Sequence, residues 1–205
     1  MARALAIIPA MQAPPRWLDE PELPQLCTDP SATSWLQERG SLTERLRHQW
    51  GDVAVHLLDE GLAFPLPHES TRLRLAPATL AWVRCVLLVC QHQPRVYART
   101  VIPDWTARNP WGEVQRLGKQ PLGELLFRLP DLQRSGFEWG QGFTWPHADH
   151  WTVHASAQPR PHPPEPLARR CVFVREQAPL LLTEIFLDLS SSDPTTAANQ
   201  PADAP

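Results

Sequence analysis

Two charged side chains stand where the surrounding sequence calls for apolar ones. Arg84 interrupts the run Leu80-Ala81-Trp82-Val83-Arg84-Cys85-Val86-Leu87-Leu88. Glu184 interrupts Leu180-Leu181-Leu182-Thr183-Glu184-Ile185-Phe186-Leu187. Both runs read as β-strands, in which side chains alternate between faces. Arg84 therefore shares a face with Trp82, Val86 and Leu88, and Glu184 shares one with Leu182 and Phe186. A buried charge is costly unless it is paired or meets a ligand. The two could pair with each other as a structural ion pair, or one strand could lie at a sheet edge and let its charge reach water. A buried ion pair contributes little to stability, which shifts weight towards a ligand pocket. There, a guanidinium clamps a carboxylate through two parallel hydrogen bonds. A carboxyl among apolar neighbours has a raised pKa and can donate a hydrogen bond or a proton.

Two helix starts add to this chemistry. Leu42 follows the cap residue Ser41, and Leu122 follows Pro121. Amides in a first helical turn lack partners within the helix and attract carboxylates. One guanidinium, two such amides and one interior carboxyl group suit a small aromatic or cyclohexadienyl acid. A rival site is His147, His150 and His154, with Asp149 between them. These histidines sit in a Pro-rich stretch without defined geometry, so a solvated loop is the simpler reading. The four cysteines form no CxxC pair and no zinc-ligand spacing, and Cys85 and Cys90 read as buried thiols.

The elements that must position these groups are legible in outline. Ser31 to Arg39 predicts a short helix. Ser41-Leu42-Thr43-Glu44 is a capping box opening a helix to about Trp50. Val53 to Leu58 predicts a strand closed by Asp59-Glu60-Gly61. Ala81 to Cys90 and Arg95 to Ile102 predict a hairpin around Gln91-His92-Gln93-Pro94. Trp111 to Leu117 and Pro121 to Arg128 predict short helices, with Pro121 at a first helical position. Cys171 to Arg175 and Leu180 to Leu189 predict a second hairpin around Glu176-Gln177-Ala178-Pro179. Helices before and between antiparallel hairpins imply an α+β domain. Its expected limits are residues 25–189, after a Pro-rich segment over 1–24. A Pro- and His-rich insertion over 142–166 and a disordered tail over 190–205 complete the chain.

The bulk of the chain narrows the function further. Its 205 residues suffice for one domain, and 42% of them are hydrophobic, a globular value. The formal net charge of −3 offers no basic field for nucleic acid. No segment reaches the roughly 18 apolar residues of a membrane helix, and the start lacks a signal-peptide pattern, so the cytoplasm is the expected location. Nine tryptophans are expected mostly to pack the core or anchor loops.

At these residues the sequence resembles the chorismate pyruvate-lyases of ubiquinone biosynthesis. The matching segments are Trp82-Val83-Arg84-Cys85-Val86-Leu87-Leu88, Ala98-Arg99-Thr100-Val101-Ile102-Pro103 and Leu117-Gly118-Lys119-Gln120-Pro121-Leu122-Gly123. Leu126-Phe127 follows, and then Pro179-Leu180-Leu181-Leu182-Thr183-Glu184-Ile185-Phe186-Leu187. The segment between Leu58 and Leu80 aligns poorly, and the Pro- and His-rich stretch is extra. The resemblance implies an antiparallel sheet with helices on one face, forming flaps over an enclosed ligand site. It implies conversion of chorismate into 4-hydroxybenzoate and pyruvate without cofactor or metal, and a monomer. A flat aromatic product held at a buried carboxylate site is expected to leave slowly and to inhibit turnover. The ligand-contacting arginine falls on Arg84, the acidic residue on Glu184, and main-chain contacts on Leu122 and Leu42. The receiver of the second carboxylate is open, with Arg99 and Lys119 as candidates. The alternative is a non-catalytic domain of the same fold that binds small aromatic acids as effectors.

Overall fold

A computed structural model describes residues 16–19, 22–130, 132–141 and 166–189. The histidines His147, His150 and His154, the insertion around them and the tail lie outside these residues.

The apolar runs form one antiparallel sheet of eight strands. They are β1 (Trp17–Leu18), β2 (Val53–Ala63), β3 (Ala81–Cys90), β4 (Gln93–Ile102), β5 (Gln133–Arg134), β6 (Glu138–Gln141), β7 (Leu167–Arg175) and β8 (Ala178–Phe186). The order across the sheet is β1-β6-β7-β8-β4-β3-β2, with β5 pairing β7. Both hairpin turns are tighter than the sequence implied. Gln91 and His92 have φ of 50° and 61°, and Glu176 and Gln177 have 49° and 66°. Two consecutive left-handed residues match the right-handed twist of the flanking strands. Pro94 and Pro179 consequently lie inside strand ends rather than in the turns.

The helices are α1 (Leu23–Leu26), α2 (Pro30–Leu36), α3 (Leu42–Trp50), α4 (Pro67–Leu73) and α5 (Leu122–Leu126). A 3-10 turn spans Gly112–Arg116, where the sequence predicted a helix. Asp29 caps α2 by accepting from the Ser31 and Ala32 amides. Ser41 Oγ accepts from the Glu44 amide at 3.2 Å, which is one half of the expected capping box. Pro121 is the cap of α5 rather than its first residue, so the helix begins at Leu122.

Packing against one sheet face builds the main core. Val86, Leu88, Ala98, Leu182 and Phe186 meet Leu36, Leu46, Trp111 and Leu125. Trp35 stacks on Trp50 with centroids 5.1 Å apart. Trp111 Nε1 donates to the Ala178 carbonyl at 3.0 Å, and Trp139 Nε1 donates to the Leu36 carbonyl at 3.2 Å. These contacts pin the helical layer to the sheet.

Two features depart from expectation. The strand begun at Val53 does not close at Asp59-Glu60-Gly61; a register shift between Leu57 and Asp59 carries it on to Ala63. That shift sets Glu60 directly opposite Arg84. In addition, not every helix lies on one face. Leu73 packs with Val83, Cys85, Leu87 and Tyr97 on the second face. There Glu69 of α4, fully buried, takes Arg99 in a two-pronged pair at 2.7 and 3.2 Å. The sheet also extends before residue 25, since Trp17 and Leu18 pair with Gly140 and Trp139.

Candidate active site

The face carrying the main core holds a cavity between the sheet and the N-terminal ends of α3 and α5. Arg84, Glu184, Leu42 and Leu122 all line it, as do Arg134 and Arg169. Its volume is about 60 Å³. A single water needs roughly 10–15 Å³ on that measure and fills about 30 Å³ of liquid, so the space matches about four to six waters or one small ring.

Register explains how the two interior charges reach one space. Arg84 pairs with Thr100 on β4, and Glu184 pairs with Ala98 on the same strand. Their Cα atoms are thus two strands and two residues apart, roughly 12 Å by sheet geometry. Both side chains point to the helical face. The gap leaves room between them for a six-membered ring with a substituent at each end.

Arg84 is 1% exposed. Its Nη2 donates to the Gly118 carbonyl at 2.6 Å and the Gln120 carbonyl at 3.3 Å. Its Nε faces Glu60 Oε1 at 3.3 Å without an aligned hydrogen bond. Among the described residues none bonds Nη1, which leaves one edge of the guanidinium for a ligand. Burial pulls the Arg84 pKa down, while Glu60 and Cys85 push it back up. The group remains a cation, as arginine does in proteins. Glu60 is pushed above the usual carboxylate range by burial, against the pull of Arg84.

Glu184 does not pair with Arg84. Directly across the sheet from it stands Arg169, whose Nε donates to Glu184 Oε2 at 2.6 Å. The wholly apolar surroundings expected for Glu184 are therefore corrected: one flank is a guanidinium. Arg169 Nη1 donates to the carbonyls of Trp35, Leu36 and Glu38 at 3.3, 3.2 and 2.6 Å. It thereby ties the cavity-facing carboxylate to the C-terminal end of α2, ahead of the start of α3. Cys171 also lines the cavity. Burial, aided by Glu184, pushes its thiol up to about 12, so it stays protonated and is no nucleophile.

The two candidates for the second carboxylate do not reach this space. Arg99 lies on the opposite face, held by Glu69. Parity places it there, because its neighbours Ala98 and Thr100 are the cavity-facing residues. Lys119 is exposed in the turn whose carbonyls hold Arg84 and does not line the cavity. Arg169, Arg134 and Glu60 are the groups that sequence reasoning missed. Cross-strand register alone would have found Glu60 and Arg169, since each lies opposite a misplaced charge.

Residues 15–192 match the family described as Chorismate lyase. That span covers most of the chain, including every cavity residue named above. The chain belongs to the chorismate lyase family. Curated relatives agree. A probable chorismate pyruvate-lyase of Hydrogenovibrio crunogenus is 38% identical over 178 residues, covering 86% of this chain and 92% of its own length. One from Aromatoleum aromaticum is 35% identical, covering 87% and 95%. The chorismate pyruvate-lyase of Hamiltonella defensa is 31% identical, covering 85% of each. Among solved structures, the effector domain of PhnF from Mycobacterium smegmatis matches with a TM-score of 0.47 and 13% identity, over 72% of this chain and 88% of that one. Among the described residues, no helix is long and apolar enough to cross a membrane.

Proposed function

We propose that this chorismate lyase family member turns chorismate into 4-hydroxybenzoate and pyruvate, the lyase step that supplies the ring of ubiquinone. The observation that supports the reading is one cavity lined by both Arg84 and Glu184, set two strands apart on the same sheet face, in a chain of this family. In the reaction the ring loses its C4 hydrogen and the C3–oxygen bond breaks. The leaving enolpyruvate takes up a proton and becomes pyruvate. Aromatisation drives the step, and the enzyme's task is to hold the dianion and stabilise the charge that develops on the ether oxygen.

In this reading Arg84 binds the ring carboxylate through its Nη1 edge, and the carbonyls of Gly118 and Gln120 hold the guanidinium in place. The Leu42 and Leu122 amides, at the starts of α3 and α5, turn towards the same carboxylate. Glu184 stands at the other end of the ring, beside the hydroxyl and the ether. Oε2 is occupied by Arg169, so Oε1 is the oxygen available to the substrate hydroxyl. Enclosure beneath α3 and α5 makes a flat product slow to leave, and added 4-hydroxybenzoate is expected to inhibit turnover. Monomeric, cytoplasmic protein is the form in which this activity is expected.

The test is incubation of purified protein with chorismate. Equal amounts of 4-hydroxybenzoate and pyruvate are expected. Tight binding of 4-hydroxybenzoate with no turnover would instead identify an aromatic-acid-binding domain.

A further inference from the structure

We infer that Arg169, with Arg134 beside it, forms the subsite for the enolpyruvyl carboxylate of the substrate. The inference rests on the lyase reading and deepens it.

Charge balance is the first argument. Three guanidinium groups, Arg84, Arg134 and Arg169, and one carboxylate, Glu184, line the cavity; Glu60 stands against Arg84, while Arg134 and Arg169 together outweigh Glu184 by one formal charge. Chorismate is a dianion, whereas 4-hydroxybenzoate carries one carboxylate. Arg84 accounts for the ring carboxylate and leaves a surplus positive charge on the Glu184 side of the cavity.

Geometry places that surplus. Chorismate carries its enolpyruvyl ether next to the ring hydroxyl. With the hydroxyl at Glu184, the ether projects past this residue towards β7 or towards the cavity mouth. Arg169 stands on β7, directly opposite Glu184. It is 2% exposed, and its Nε and Nη1 are committed to Glu184 and to the α2 carbonyls. Among the described residues none bonds its Nη2. A guanidinium so deeply buried, with one nitrogen unused at a cavity wall, is placed to receive an anion.

Phe137 completes the arrangement. Arg169 lies over its ring at 4.6 Å from the centroid, and Arg134 lies over the same ring at 4.8 Å. Arg134 is exposed, and its Nη1 donates to the Arg39 carbonyl at 3.0 Å. Phe137 thus packs against both guanidinium groups, one buried and one exposed, in the lining of the same cavity. A buried and an exposed cation in one cavity wall suit a carboxylate entering from solvent.

The test compares two ligands that differ in this one carboxylate. Arg169→Lys keeps a cation beside Glu184 but removes the unused nitrogen. Arg134→Gln removes an exposed charge, with its contacts to Phe137 and the Arg39 carbonyl, outside the buried core. For each variant, kcat/KM for chorismate and Kd for 4-hydroxybenzoate are measured. The loss on chorismate is expected to exceed the loss on 4-hydroxybenzoate by about tenfold for Arg169→Lys and about three- to fivefold for Arg134→Gln. Equal losses on both ligands, or no loss on chorismate, overturn the inference. Should Arg169→Lys fail to fold, Arg134→Gln decides alone. Wild-type protein that makes no 4-hydroxybenzoate would strike the lyase reading itself, a separate outcome.

Discussion

Replacing Arg84 by lysine separates charge from geometry at the proposed ring-carboxylate site. The guanidinium does three things at once. It holds the Gly118 and Gln120 carbonyls at 2.6 and 3.3 Å, faces Glu60 at 3.3 Å, and presents a remaining edge to the cavity. A lysine ammonium is a point charge and cannot serve the turn and the ligand together. The ligand then loses at least one charge-assisted hydrogen bond, about 1.5–3 kcal/mol. That is roughly a 10- to 150-fold rise in Kd for 4-hydroxybenzoate. Stability should change far less, because the released carbonyls belong to exposed residues and can bond water. The turn they belong to leads into α5, so its release should also speed product departure. Calorimetric titration of 4-hydroxybenzoate into Arg84→Lys, with a thermal melt to verify the fold, reads both effects. Affinity within twofold of wild type in a folded variant would refute the assignment of Arg84.

The remaining predictions concern the other cavity groups and the second face of the sheet. Glu184→Gln should lower kcat by about 100- to 10,000-fold, the range for a lost proton-handling group, and a single-turnover assay reads it. Cys171→Ala should keep kcat/KM within about threefold, because a thiol pushed up to about 12 does no acid–base or nucleophilic work at neutral pH. His68 is held down at about 4, chiefly by burial, against an ordinary value of 6.5. The unfolded chain therefore binds this proton between pH 6.5 and 4 while the folded chain does not. Stability should fall as pH drops through that window, by at most about 3 kcal/mol from this residue. His68→Gln should flatten the fall, and melts across the window measure it.

Much of the site was legible because it breaks local rules. Arg84 and Glu184 stood out as charges in apolar strands, and parity put each on a definite face. The Ser41 and Pro121 signals marked the helix starts at Leu42 and Leu122. What stayed hidden depended on register. Arg99 was a reasonable candidate until pairing with Cys85 and Thr183 put it on the far face with Glu69. Arg169 escapes the sequence reading because the predicted strand starts at Cys171, whereas the strand starts at Leu167. Each arginine in fact has a carboxylate across the sheet, Glu184 for Arg169 and Glu138 for Arg170. Helix α4 was missed for a related reason. Its signal is Leu66-Pro67-His68-Glu69, a proline at the first helical position and a glutamate that accepts the Leu66 amide at 2.8 Å. Too few apolar residues follow for a helical period to show. The turn signal Asp59-Glu60-Gly61 misled because a register shift on an edge strand absorbs it and uses Glu60 against Arg84.

The central claim is that Arg84 and Glu184 grip opposite ends of one ring, and a structure with bound 4-hydroxybenzoate tests it most directly. The account predicts the carboxylate within about 2.7–3.2 Å of Arg84 Nη1, with the hydroxyl on Glu184. A ligand bound outside this cavity, or turned with its carboxylate on Arg169 and its hydroxyl at Arg84, would contradict it.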